Sequence, residues 1–152
     1  MIRKLTIYEG KRIASTEIIN SKGIAIEVHT DNFLGPGLKR SFFYKYDDTL
    51  LVEQISTHSS FPGDTTKWIY QYDTLGNLKT IKDINKDFVI FEYFYDSLNQ
   101  RIKTISYDSP NILSSAIVYK YSPTGKEIES VSYGDSKLQR ICKTIYDSLD
   151  RI

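Results

Sequence analysis

Side chains able to do covalent or acid–base chemistry are few in this sequence and scattered along it. The single cysteine, Cys142, stands between Ile141 and Lys143 with no histidine nearby. A thiol nucleophile needs a base to activate it, so a core or edge thiol is the expected role. The two histidines, His29 and His58, have neither HxH nor HxxxH spacing, and with one cysteine they cannot build the ligand set of a zinc centre. Both are expected at the surface. Asp47, Asp73, Asp96 and Asp147 recur in similar settings, yet no DxDxD cluster marks a calcium loop, and each stands where an Asp side chain can cap a turn. Nineteen acids offer many carboxylate pairs for glycosidic chemistry, but no spacing singles out two of them; Asp47 and Asp48 are adjacent and would point apart on a strand. No GxSxG, Walker A, GxGxxG or HExxH motif is present. The expectation is a protein without enzymatic activity, cofactor or metal.

What is left is aromatic chemistry. The chain holds 12 Tyr, 7 Phe and 1 Trp. A tyrosine ring packs like a hydrophobe while its hydroxyl wants a partner, which suits half-buried sheet surfaces. Tyr44/Tyr46, Trp68/Tyr70/Tyr72, Phe91/Tyr93/Tyr95 and Tyr119/Tyr121 fall at alternate positions and are the candidate binding residues. Such rows can stack on sugar rings or form a protein-docking face, since Tyr and Trp dominate binding hot spots. The competing role is structural: cross-strand ladders that hold one hairpin to the next.

The elements that must position these rings follow from composition and period. At 152 residues there is room for one ordinary domain, and a formal net charge of +1 lacks the positive field that nucleic-acid binding or a polybasic membrane surface requires. One cysteine excludes an internal disulfide. No uncharged stretch approaches the roughly 20 apolar residues of a membrane helix, and the basic start lacks the apolar run of a signal peptide. A cytoplasmic location is expected if the chain is complete, and an extracellular or envelope one if it belongs to a larger protein.

A phrase of alternating apolar residues ending in Tyr-Asp recurs with Tyr46, Tyr72, Tyr95, Tyr121 and Tyr146, separated by 26, 23, 26 and 25 residues. About 25 residues accommodate two strands of eight to ten residues and two turns. Each unit therefore reads as a β-hairpin, with Leu78–Ile81, Ile102–Ile105 and Ile128–Val131 as return strands. Gly76-Asn77, Asn99 and Gly125 supply positive φ in the turns. From the key tyrosine to the first apolar return residue the count is six in the second copy and seven in the third and fourth, a difference that a one-residue bulge would explain. Polar connectors, Ser59–Asp64, Asp83–Asp87, Asp108–Asn111 and Gly134–Ser136, read as turns at the opposite end. Residues 1–40 are less regular: Leu5–Tyr8, Arg12–Ile19 and Gly23–Thr30 alternate well enough for three strands of a divergent cap, with Asn20-Ser21-Lys22-Gly23 one turn and Gly35-Pro36-Gly37 another. Thr49–His58 suits a short helix by composition and a strand by register. The fold expected over 1–152 is all-β: tandem antiparallel hairpins in a twisted, curled open sheet, a half-barrel or short solenoid, with the larger aromatics on its concave, more buried face. It comprises the cap and five hairpin units over 41–152, the last incomplete.

Tyr70-Gln71-Tyr72-Asp73-Thr74-Leu75-Gly76-Asn77-Leu78 resembles the YD repeat of Rhs proteins, teneurins and toxin-complex shells, and Asp96–Ile102 and Asp147–Ile152 are similar to the same pattern. Ser122 replaces the Asp in one copy. The resemblance implies long antiparallel hairpins in a spiralling sheet, and a place in polymorphic-toxin biology as an immunity-type protein or a shell component. The expected partner is another protein, a toxin domain on this resemblance. A glycan-binding or adhesion module using the aromatic rows and a structural spacer are the alternatives.

Overall fold

The computed structural model describes residues 2–9, 12–31, 39–58, 61–134 and 137–146. Twelve strands form one antiparallel sheet in sequence order: β1 (Arg3–Glu9), β2 (Arg12–Ile19), β3 (Ala25–Asp31), β4 (Lys39–Asp47), β5 (Leu50–His58), β6 (Phe61–Tyr72), β7 (Leu78–Asp83), β8 (Phe88–Tyr95), β9 (Arg101–Ser109), β10 (Ile112–Tyr121), β11 (Glu127–Gly134) and β12 (Lys137–Lys143). The all-β expectation holds, with no helix among the described residues. Thr49–His58 resolves as strand β5, because Leu50, Gln54 and Ile55 alternate against β4 through Asp47↔Leu50, Tyr44↔Gln54 and Phe43↔Ile55. Strands run further into the expected connectors than the polar composition suggested: Phe61 pairs with His58, Ile112 with Ser109, and Lys137 with Gly134. Backbone pairing needs no apolar side chain, and the β-branched Thr65 and Thr66 suit a pleated surface.

Backbone contacts divide the chain into two compact units, Met1–Tyr70 with Asp83–Lys86, and Gln71–Lys82 with Asp87–Ile152. In the first unit, Asn20 Oδ1 accepts hydrogen bonds from the backbone N–H of Lys22 (2.9 Å) and Ile24 (3.0 Å), and Gly23 takes φ +80°. The second unit repeats that turn. Asp73 Oδ1 accepts from the N–H of Leu75 and Asn77, both at 2.9 Å, with Gly76 at φ +84°. Asp96 Oδ1 accepts from Leu98 and Gln100, both at 2.9 Å, with Asn99 at φ +66°. Ser122 Oγ accepts from Lys126 N–H at 3.2 Å, with Gly125 at φ +84°. The side-chain oxygen organises the loop, and a residue with an oxygen two or three bonds from Cα, Ser as well as Asn or Asp, can start it.

Two expectations need correction. Asp47 does not begin this turn: Asp47 pairs directly with Leu50, and Asp48 carries the positive φ (+51°) of a tighter two-residue connection. Nor does the count to the first apolar return residue reflect turns of different length. Leu78, Arg101 and Glu127 each open a return strand five residues after the turn-forming side chain, so the turns have equal length. Ile102 and Ile128, expected as first return residues, are themselves the extra residues of a bulge that skips from Arg101 to Lys103 and from Glu127 to Glu129. The same skip leaves out Ile26 opposite Ile18/Ile19 and Val52 opposite Lys45/Tyr46. The variation in period therefore comes from strand length: β7 and β8 have 6 and 8 residues where β9 and β10 have 9 and 10, which outweighs the longer connection Ile84–Asp87 against Pro110-Asn111. The expected turn at Asp147 and the last return strand lie outside the described residues.

Gly76 and Gly63 separate conformation from space. An added Cβ meets nothing within 4 Å at either, but only Gly76 has positive φ. Gly76→Ala is expected to destabilise the fold by about 1–2 kcal/mol, the cost of an L-residue in the left-handed region. Gly63→Ala should be neutral or stabilise by up to about 1 kcal/mol through the unfolded chain. Urea unfolding of both variants checks the contrast.

Candidate binding surface

Strand alternation and register place the predicted aromatic residues on one face within each unit. In the first, Phe42 stacks on Tyr44 (ring centroids 6.4 Å apart), and the pairs Tyr44↔Gln54 and Gln54↔Trp68 carry the row across β5 to β6. Tyr70 Oη donates to Gln54 Oε1 at 2.9 Å. Tyr46 follows Tyr44 at the next position on that face; burial raises the pKa of both phenols, with Tyr46 and Glu17 adding to the effect at Tyr44. In the second unit, Phe91 stacks on Tyr93 at 6.3 Å. The Arg101 guanidinium lies 5.9 Å from the Tyr93 ring centre and 5.0 Å from that of Tyr119, joining β8 to β10. Burial raises the Tyr93 pKa, and the nearby Arg101 charge partly opposes it. Tyr72 ends β6, and all ten predicted residues are half-buried.

The phenol hydroxyls of the second unit show why tyrosine recurs rather than phenylalanine. Tyr95 Oη donates to the Leu78 carbonyl (3.0 Å), Tyr121 to Arg101 (2.8 Å) and Tyr146 to Glu127 (3.1 Å). The acceptors are the first residues of β7, β9 and β11. The β9–β10 ladder stops at Lys103↔Val118 and the β11–β12 ladder at Glu129↔Lys143, two residues short of those carbonyls. Tyr121 and Tyr146 therefore supply the donor where the strand of the following hairpin no longer pairs. This interaction was not read from the sequence, although the constant spacing of tyrosine before the turn was its signal.

Neighbouring turns also touch. Asn77 Nδ2 donates to Asn99 Oδ1, and Gln100 Nε2 lies where a Cβ on Gly125 would be 3.0 Å away. Hydrogen bonds from the Asn77 side chain and backbone hold the Asp73 carboxyl below its ordinary pKa. In the first unit, Lys22 pairs with Asp48 across adjacent turns.

The opposite face of the second unit carries Ile105 and Ala116, paired across β9 and β10 and both 8% exposed, with a Lys120–Glu129 ion pair at 2.6 Å. There Tyr107 Oη donates to Glu92 Oε2 at 2.6 Å beside a shallow depression lined by Phe88, Val89, Pro110 and Asn111. The histidines are less superficial than expected. His58 is half-buried, and His29 bonds Ser41 Oγ at 2.7 Å and contacts Glu27. The pairing His29↔Ser41 lays that ring across two strands, with 38% of its side chain still exposed. Cys142, opposite Ser130, is half-buried. Among the described residues, no group of three or more His, Cys, Asp or Glu is placed to hold a metal ion.

No family model matches the chain, and no curated protein matches it.

Two measurements test this geometry. Tyr121→Phe should cost about 1 kcal/mol by leaving the Arg101 carbonyl without its donor, whereas Tyr119→Phe, which keeps its ring under Arg101, should cost less; equilibrium unfolding distinguishes them. The Glu92 carboxylate that accepts the Tyr107 proton, together with burial, pushes the Tyr107 pKa up to about 12. The folded state thus holds this proton more tightly than the unfolded chain, and the stabilisation is complete below pH about 10 and lost as pH rises through about 12. Glu92→Gln should bring Tyr107 ionisation, followed by tyrosinate absorbance, back towards its ordinary range and flatten that loss.

Among solved structures, 21 chains match, and one belongs to the structure titled "Crystal Structure of TcdB2-TccC3-TEV", with a TM-score of 0.51 and 16% sequence identity. The match covers 92% of this chain and 8% of the other, so this chain spans a small part of that protein's length. The likeness is one of fold: this chain shares its sheet architecture with part of a toxin-complex chain.

Proposed function

We propose that the chain is a non-enzymatic protein-binding module of a bacterial polymorphic-toxin system, an immunity-type protein that blocks a toxin or a component of a shell. The observation that carries this reading is how little apolar surface the sheet encloses for itself. Buried hydrophobic residues among those described are Ile81, Ile105 and Ala116, whereas Tyr8, Leu98, Ile112, Leu138 and Ile141 are each more than half exposed. Apolar side chains left open along a sheet are covered more completely by a bound polypeptide than by a sugar. The toxin-complex neighbour supports the biological setting.

A glycan platform would need flat rings open to a pyranose. The half-buried rings and the hydroxyls of Tyr95 and Tyr121, already bonded to backbone, favour a cross-strand role for the aromatic rows. The test is affinity purification of the full chain from its native host alongside glycan-array binding. A stoichiometric protein partner, retained by the folded Trp68→Ala variant, is the expected result. Glycan binding that Trp68→Ala and Tyr70→Ala abolish without unfolding the chain would overturn the proposal.

A further inference from the structure

Strand β1 pairs on one side with β2 and stands at the end of the strand order, so its other backbone edge is open among the described residues. Native sheets usually blunt such an edge with charge, bulges or brevity. Here Leu5 is 47% exposed, Ile7 43% and Tyr8 63%, on seven residues of regular strand. The one register irregularity against β2 leaves β1 itself in continuous alternation: Ile7 pairs with Ser15 and Tyr8 with Ile13, so the extra residue belongs to β2.

The order of residues along this strand is self-complementary. When Arg3-Lys4-Leu5-Thr6-Ile7-Tyr8-Glu9 is laid antiparallel against its own copy about Thr6, Arg3 faces Glu9 of the copy, Leu5 faces Ile7, Lys4 faces Tyr8, and Thr6 faces Thr6. Alternation puts the Arg/Glu and Leu/Ile pairs on one side of the extended sheet and the Lys/Tyr and Thr/Thr pairs on the other. Every directly opposed pair is of a kind that stabilises antiparallel strands: opposite charges, two branched aliphatics, a cation against a ring, and two threonines. The two-fold makes each unlike pair occur twice. We propose that β1 is a homodimerisation edge, through which two copies of this chain join their sheets by antiparallel β1–β1 pairing centred on Thr6.

The other end of the strand order does not offer the same match. Strand β12 carries Lys137, Arg140 and Lys143 and no acid. Laid antiparallel on its own copy, it opposes cation to cation, and against β1 it meets Arg3 and Lys4 with Glu9 as the single acid. The pairing rule therefore closes at two copies and does not propagate into a filament.

Sedimentation velocity across a concentration series tests this on the full chain. The wild type should show a reversible monomer–dimer equilibrium. Glu9→Lys or Arg3→Glu alone puts like charges opposite each other at both ends of the ladder and should weaken the dimer by about tenfold to a hundredfold. The combined Arg3→Glu, Glu9→Lys chain restores both attractions with their signs exchanged and should dimerise again. Far-UV circular dichroism and thermal unfolding of each variant establish that the sheet is intact. A wild type that stays monomeric up to its solubility limit, a dimer indifferent to the single reversals, a swap that fails to rescue, or growth beyond the dimer would each overturn the proposal.

Discussion

A backbone carbonyl left without a ladder partner where the β9–β10 and β11–β12 ladders end is the constraint around which the second unit is arranged. A sheet of sequential hairpins must let successive units diverge near their turns, and divergence strands polar groups that need new partners. The solution in the second unit is a phenol. Tyr95 and Tyr121 each stand immediately before a turn, and they and Tyr146 reach back to the opening carbonyl of the preceding return strand. Their rings fill the side of the sheet while their hydroxyls complete its hydrogen bonding, which phenylalanine could not do. The bulged Ile102 and Ile128 accompany that divergence, and the Asp or Ser at the turn fixes the angle at which the next strand returns.

Much of this was legible in the amino-acid order because it depends on local rules. Alternation of apolar and polar residues predicted strands, and Tyr-Asp followed by Gly or Asn predicted where each turned back. The turn at Asn20–Gly23 was expected, but its kinship with the later turns was not, because asparagine stands in the role that aspartate has elsewhere, with Ile19 rather than tyrosine before it; its hydrogen bonds are those of Asp73 and Asp96. Asp47 misled for the converse reason: the Tyr-Asp pair is present, but Asp48 takes the left-handed conformation and the loop closes two residues early. Counting to the first apolar residue also misaligned the copies, since the residue that opens β9 is Arg101 and the one that opens β11 is Glu127. Polarity does not mark a strand start when the first residue contributes its carbonyl rather than its side chain.

The aromatic rows were visible as candidates, but their role depends on partners that sequence does not display. Arg101 between the rings of Tyr93 and Tyr119 was not anticipated, because the contact joins residues of three strands through a position next to a bulge. His29, expected at the surface, also bridges Ser41 and Glu27, a consequence of register between β3 and β4. The limited enclosure of apolar side chains was likewise hidden, since hydrophobic content alone does not say whether a sheet has a second layer to pack against.

The carbonyl carbon resonances of Leu78 and Glu127 report the central interaction most directly. Replacing Tyr95 by phenylalanine should move the Leu78 carbonyl signal upfield, and the same change at Tyr146 should move that of Glu127, each leaving the other in place. Carbonyl shifts that stay unchanged in both variants, or that move throughout the sheet, would contradict the account.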